Sequence, residues 1–337
     1  MNIRTSMWLA ATALSLVAAQ ASAETIRLRV ADVYPTTHPV SNTTIKVFME
    51  DMKQRLGDQI EFEYYPAEQL GKGKDLLALT QQGVVDIGLV VPSYVSDKLP
   101  LSAVSELPGA YATSCEGTQA MMQLSIDGAL AEKEFAPNGV RILIAHTFAP
   151  FQAFSSKPYD TLASFQGQKL RTLGAVTDMT IESLGAVPIR ISAPEINEAM
   201  SRGTIDGGLL GVATVLSYDL VPYVKSAVYG TSFGGAFVSY AISEANWAKL
   251  SPEIQQAMTE AGKTASMNGC QKADEAVDQQ FDKLRAAKVQ VVELSEEDAG
   301  KFRESTTDIG RKWAEGLDGR GKPGTDVLDA FRAALGN

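Results

Sequence analysis

Residues 167–210 read GQKLRTLGAVTDMTIESLGAVPIRISAPEINEAMSRGTIDGGLL. Lys169–Leu173 has the make-up of a short strand, and Gly174-Ala175 opens a helical pattern. Leu184-Gly-Ala-Val-Pro-Ile then turns into a second strand. A second helix follows, and Gly203-Thr-Ile-Asp-Gly-Gly-Leu-Leu210 turns into a third strand. Five elements in 44 residues, joined by short connections, define a parallel α/β unit. Arg171 falls at the carboxyl end of the first strand, the edge where open α/β sheets bind ligands. A guanidinium at that edge can clamp a carboxylate through two parallel hydrogen bonds.

The end of this unit has an echo earlier in the chain. Leu76–Leu89 (LLALTQQGVVDIGL) and Ile196–Leu209 (INEAMSRGTIDGGL) align at an offset of 120 residues. Gly83 matches Gly203, Asp86 matches Asp206 and Gly88 matches Gly208. Each segment reads as a helix stopped by glycine and followed by a strand, which suggests one device used once in each of two lobes.

Further strands are expected at 24–31, 60–64, 86–91, 140–146, 151–155, 224–229, 234–242 and 289–294. Helices are expected at 41–56, 75–82 and 115–134. Phe148-Ala-Pro-Phe151 looks like a crossover between lobes. Ser251-Pro252-Glu253 has an N-cap, a proline at the first helical position and an early acid, so a helix starts there. Its apolar spacing reaches Lys288, which would give 37 residues spanning both lobes, with Gly262 and Gly269 as places for it to bend. Ser295-Glu-Glu-Asp reads as a capping box for a helix to Gly316, and Asp326–Leu335 as a last amphipathic helix.

The ends and the composition limit the function. Met1–Arg4 is a basic start, Met7–Ala19 is an apolar run of 13 residues, and Ala21-Ser22-Ala23 is a cleavage signal. The expectation is a signal peptide over 1–23, cleaved after Ala23, and a periplasmic protein. A net charge of −10 without a basic stripe argues against nucleic acid as a partner. Export makes a Cys115–Cys270 disulfide the expectation, with two buried thiols as the alternative. Two histidines and two cysteines lack the spacing of a transition-metal site, and no cofactor motif is present. No G-x-S-x-G elbow accompanies His38 or His146, so no catalytic residues are assigned. His38 lies in a proline-rich loop and is the histidine better placed to touch a ligand. Tyr34, Tyr94, Phe148, Phe151 and Phe233 fall at strand ends or crossover loops.

Several of these motifs together resemble the DctP-type substrate-binding proteins of tripartite ATP-independent periplasmic (TRAP) transporters. They are Leu70-Gly71 before a helix, Gly83-Val-Val-Asp86-Ile-Gly, Gly167-Gln-Lys-Leu-Arg171-Thr and Leu184-Gly-Ala-Val-Pro188. Glu195, Gly203-Thr-Ile-Asp206-Gly207 and Trp247-Ala-Lys-Leu-Ser-Pro belong with them. The resemblance implies two α/β lobes with mixed sheets flanked by helices, joined by crossing strands and a long spanning helix. On that reading lobe I is 24–148 with 236–275, lobe II is 149–235 with 276–316, and 317–337 is a C-terminal helix and tail. It also implies a ligand held between the lobes, with Arg171 on its carboxylate, and closure that presents the protein to the membrane permease. A monomer is the family expectation.

Departures from the family pattern bear on the ligand. Phe151 stands where many members carry a second arginine, and Leu210 where an asparagine is frequent. Gly73 and Val91 replace polar residues, and Ala193 an aromatic one. Beyond Arg171 the pocket is expected to be apolar. A sugar hydroxyl or second carboxylate left unpaired there would cost several kcal/mol, which disfavours sialic acid and C4-dicarboxylates. The favoured ligand is a monocarboxylate with an apolar or aromatic body. Ligand-binding residues are taken as Arg171, Phe151, Tyr34, His38, Tyr94, Val91, Leu210 and Phe233. The alternatives are a zwitterion such as ectoine or a betaine, caged by Tyr34, Phe151 and Phe233, and, from another class, an exported hydrolase using His38 or a sensor domain.

Overall fold

A computed structural model describes residues 25–336, so the expected signal peptide and its cleavage site lie outside the described residues. The chain builds its first sheet in order: β1 (Ile26–Ala31), α1 (Pro39–Thr43), α2 (Ile45–Leu56), β2 (Ile60–Tyr65), α3 (Leu76–Gln81), β3 (Ile87–Val90), α4 (Ser114–Ile126) and β4 (Val140–Thr147). It then crosses over and lays down β5 (Gln152–Ser155), β6 (Lys169–Thr172), α5 (Ala175–Ser183), β7 (Val187–Arg190), α6 (Ile196–Ser201), β8 (Gly207–Leu210), α7 (Val212–Ser217) and β9 (Ser226–Tyr229). A second crossing returns it to the first sheet as β10 (Phe237–Ser243), followed by α8 (Glu244–Trp247) and α9 (Pro252–Ala286). The chain ends with β11 (Gln290–Glu293), α10 (Glu296–Thr306), α11 (Ile309–Asp318) and α12 (Gly324–Ala334).

Two mixed sheets result. One has the order β2-β1-β3-β10-β4 and the other β11-β9-β5-β8-β6-β7. Each takes one strand from across the hinge region in the antiparallel sense: β10 lies between β3 and β4, and β5 between β9 and β8. The crossing segments are themselves paired. Phe148 N–H donates to Ala236, and Phe151 N–H to Gly234, while the Phe151 carbonyl accepts from Phe233.

The echoed segments fold alike. Gly83 and Gly203 both stop a helix with φ near +70°, at 71° and 67°. Asp86 accepts from the backbone N–H of Arg29 and returns its own N–H to the Arg29 carbonyl; Asp206 does the same with Lys169. Each aspartate therefore fixes the start of its strand against the neighbouring parallel strand. The register is also shared: Gly88 lies opposite Ala31, and Gly208 opposite Arg171.

Helix α9 is continuous over 35 residues, roughly 50 Å at 1.5 Å per residue, and rests on both lobes. Gly262 and Gly269 are sites of close approach within it. A Cβ on Gly262 would meet the Leu143 carbonyl, and one on Gly269 would sit 2.5 Å from the Thr44 methyl. Cys115, in α4, and Cys270, in α9, are joined by a disulfide.

Two of the expected helices are divided in the structure. The helix at 115–134 ends at Ile126, and Ala131–Phe135 forms a π-helical turn of its own. The helix from Ser295 breaks at Thr307-Asp308 into α10 and α11. The Ser295 side chain does cap the Asp298 N–H, but the Asp298 carboxylate accepts from Leu162 instead of closing the box. After the break, Ile309, Trp313 and Leu317 pack with Leu107, Met121 and Phe331, so residues 309–316 share the core of α4 and α12.

Reducing the Cys115–Cys270 bond releases a separation of 155 residues in the unfolded chain. Urea unfolding with and without reductant should show a loss of about 2–5 kcal/mol.

Candidate functional site

Arg171 is 2% exposed at the end of β6. Its Nε donates to the Ile191 carbonyl at 2.8 Å, and Nη1 reaches the Leu209 carbonyl at 3.4 Å. Both acceptors are backbone, one just beyond β7 and one in β8, so the guanidinium is aimed by the sheet itself. Gly208 makes room for it: a Cβ there would lie 2.7 Å from the Arg171 Cβ. Among the described residues no carboxylate pairs with Arg171 within 4.0 Å. Burial lowers its pKa from the ordinary arginine value, opposed by Tyr94, Tyr34, Glu106 and Tyr218 around it. A buried cation held only by neutral carbonyls is costly, and an external anion is what would complete it.

The facing lobe supplies a polar-tipped aromatic surface. Tyr34 stacks on His38 with ring centroids 4.1 Å apart, and Phe148 meets both edge-on at 6.4 and 6.2 Å. Phe151 follows at 6.0 Å from Phe148, and Tyr218 of lobe II stands 6.2 Å from His38. The Tyr34 loop is tied down by Asp32, whose carboxyl accepts from the Tyr34 N–H, Ser41, Tyr64 and Tyr240. Burial raises the Asp32 pKa even so.

His38 has a determined tautomer. Its Nδ1 accepts from the Val40 N–H and caps α1, while burial first, and His146 second, lower its pKa to about 3. The ring is thus neutral with its proton on Nε2, a buried donor without a partner among the described residues. That group can donate to an acceptor on a ligand.

The other expected site residues fall as follows. Tyr94 accepts a 2.7 Å hydrogen bond from the Ala193 N–H of lobe II, so it joins the two lobes near Arg171. Tyr218 reaches back to the Val33 carbonyl of lobe I at 3.5 Å. Val91 is buried at the end of β3. Gly73 leaves space that Val33 and Tyr94 occupy. Leu210 packs into a cluster with Val212, Val215 and Phe281. Phe233 is placed elsewhere than the proposed cage: its ring packs with Phe165 and Phe302 at 5.7 and 4.8 Å, and it is fully buried there. No described ring pair links it to Tyr34 or Phe151; Phe148 and Tyr218 are the aromatics that complete the group.

The lobes are shut over Arg171. A cleft of about 680 Å³ lies on the α9 side, bordered by Phe148, Pro150, Gly211 and Asp274, and Arg171 does not line it. Asp32, Glu106 and Tyr218 were not singled out in the sequence. Asp32 follows a strand directly before the Tyr34 loop, which is a usable signal. Nothing local marks the other two. Among the described residues no cluster of three metal-ligating side chains occurs, and no helix is long and apolar enough to cross a membrane.

Comparison with known proteins gives a concordant picture. The family model described as bacterial extracellular solute-binding protein, family 7 (DctP), matches residues 30–316. The ectoine-binding periplasmic protein TeaA of Halomonas elongata is 22% identical over 86% of this chain and 85% of its own length. A TRAP solute-binding protein of Rhodoferax ferrireducens, in complex with copurified benzoate, superposes with a TM-score of 0.84 at 24% identity, covering 93% of this chain and 98% of that one. Another, from Bordetella bronchiseptica with bound (R)- and (S)-mandelate, has a TM-score of 0.83 at 22% identity, covering 92% and 98%.

Because Gly208 sits against Arg171, Gly208→Ala should cost about 1–3 kcal/mol in urea unfolding. Gly316→Ala in α11, where a Cβ meets nothing within 4 Å, should instead stabilise by about 0.5–1 kcal/mol in the same assay.

Proposed function

The chain belongs to the DctP-type bacterial extracellular solute-binding proteins of family 7, and on that premise we propose that it captures an aromatic or otherwise apolar monocarboxylate. Members of this family are solute-binding proteins, not enzymes, and work with a membrane permease. The observation that carries the reading is the unpaired, buried guanidinium of Arg171, braced by two backbone carbonyls. A ligand carboxylate takes the remaining donor edge of that group. The ligand body then lies among Tyr34, Phe148, Phe151 and Tyr218, and the His38 Nε2–H meets an oxygen of the acid or of a neighbouring hydroxyl. The complexes of related structures with benzoate and mandelate support an aryl acid. The lobes open to admit the acid and shut on it through Tyr94–Ala193 and Tyr218–Val33. The shut monomer, exported to the periplasm, delivers its cargo to a TRAP permease.

A second reading is favoured by one relative. TeaA is an ectoine-binding protein, and a zwitterion would place its carboxylate on Arg171 and its cation against the same rings. The two readings separate in a thermal-shift panel of benzoate, mandelate, indole-3-acetate, succinate, galacturonate and ectoine.

The aryl acids are expected to raise the melting temperature, a ligand at 100 times its Kd contributing about 2.7 kcal/mol. Arg171→Ala should abolish the shift, and Arg171→Lys should weaken it by losing the planar two-point contact. A shift from succinate or galacturonate alone would refute the apolar pocket, and one from ectoine alone would establish the second reading.

A further inference from the structure

Glu106 belongs to a 3-10 helical segment of lobe I, Leu101–Glu106, and is 1% exposed. Its Oε1 accepts from the Ser93 hydroxyl of the same lobe, and Oε2 has no partner among the described residues. What it faces is lobe II. A Cβ on Gly174, the N-cap of α5, would lie 3.6 and 3.7 Å from the two carboxyl oxygens. The backbone of Thr177, in the first turn of α5, also acts on it. A lobe I carboxyl is thus enclosed against the start of a nine-residue lobe II helix. Val176 of the same helix is buried with Leu101, Val104 and Leu107 around Glu106, so an apolar contact between the lobes encloses the acid, and the solute-binding reading gives it no role.

We infer that Glu106 is a latch between the lobes, and that shutting the cleft around it takes up one proton. The inference rests on the reading that the lobes open and close around a ligand. Opening withdraws the start of α5 and lets water reach the carboxyl, which then behaves as an ordinary glutamate. Shutting removes that water. The groups facing Glu106 are Ser93 beside it, Tyr111 of its own lobe, Thr177 and Asp178 of α5, and Arg171 of β6. Burial dominates and Asp178 adds to it. Ser93, Thr177 and Arg171 oppose, and the outcome in the shut protein is a carboxyl raised to about 7.

The direction of the effect follows. A carboxyl whose value rises on shutting favours the shut form at low pH, and that preference is lost as pH rises through about 7. An acid seated on Arg171 cancels part of the positive field that favours ionised Glu106. Capture of the anion and of the proton therefore reinforce each other.

The test needs no ligand. Spin labels on Lys74→Cys and Glu198→Cys, both exposed and on opposite lobes, report the interlobe distance in the disulfide-bonded protein. Between pH 8 and pH 5 the ratio of shut to open molecules should rise on the order of fifty-fold, as one proton taken up by a group moving from 4.5 to about 7 requires. Glu106→Gln, which carries a neutral side chain at every pH, should make the ratio independent of pH. Two distances whose populations do not change with pH in the unsubstituted latch would overturn the inference while leaving solute capture intact, even if Glu106→Gln fails to fold. A Glu106→Gln protein that titrates like its parent would overturn it as well. A single fixed distance at every pH would remove opening itself, and the latch with it.

Discussion

A positive charge buried without a negative partner constrains everything near it. Arg171 is held in the second sheet by the carbonyls of Leu209 in β8 and Ile191 just past β7, so the backbone around β6 sets its direction. The chain itself supplies no carboxylate to it among the described residues, and on the proposed function a ligand anion would answer that demand where the lobes meet. The facing aromatic surface, the tethered Tyr34 loop and the neutral His38 all follow from the same need. They shield the charge from water, and none of them places a carboxylate in contact with it.

The two lobes use one backbone device for different ends. In each, a helix stops at a glycine with positive φ, and an aspartate fastens the next strand to its parallel neighbour. The position opposite the strand glycine is Ala31 in lobe I and Arg171 in lobe II. In lobe I the space over Gly88 is filled by the Thr80 hydroxyl of its own helix. In lobe II the space over Gly208 is given to the arginine. One architecture therefore yields a closed core on one side and a buried, unpaired guanidinium on the other.

Much of this was legible in the chain itself. The 167–210 unit, its echo at 76–89, the crossover at Phe148–Phe151 and the long helix all follow from period, turn glycines and capping residues, because these are local chemistry. The place of Arg171 at the end of a strand is likewise legible from the sequence. What escaped depends on contacts between distant segments. Glu106 looks like any surface glutamate until α5 is brought against it, and Tyr218 gains meaning only when it meets Val33. Phe233 shows the converse: its position beside a crossing strand suggested the ligand, but Phe165 and Phe302 claim its ring. The break at Thr307 likewise has a tertiary cause, since Asp298 serves Leu162 and α11 turns to bury Trp313.

Helix α9 imposes a mechanical consequence. Its first half is sewn to lobe I by two close glycine contacts and by the bond from Cys270 to α4, while Phe281 and Leu284 are embedded in lobe II. Any rotation of one lobe against the other must then be absorbed as curvature in the short stretch between those anchorages, without a proline there to act as a pivot. Under such a rotation that stretch would act as a leaf spring, limiting the swing of the lobes and returning part of the work of bending.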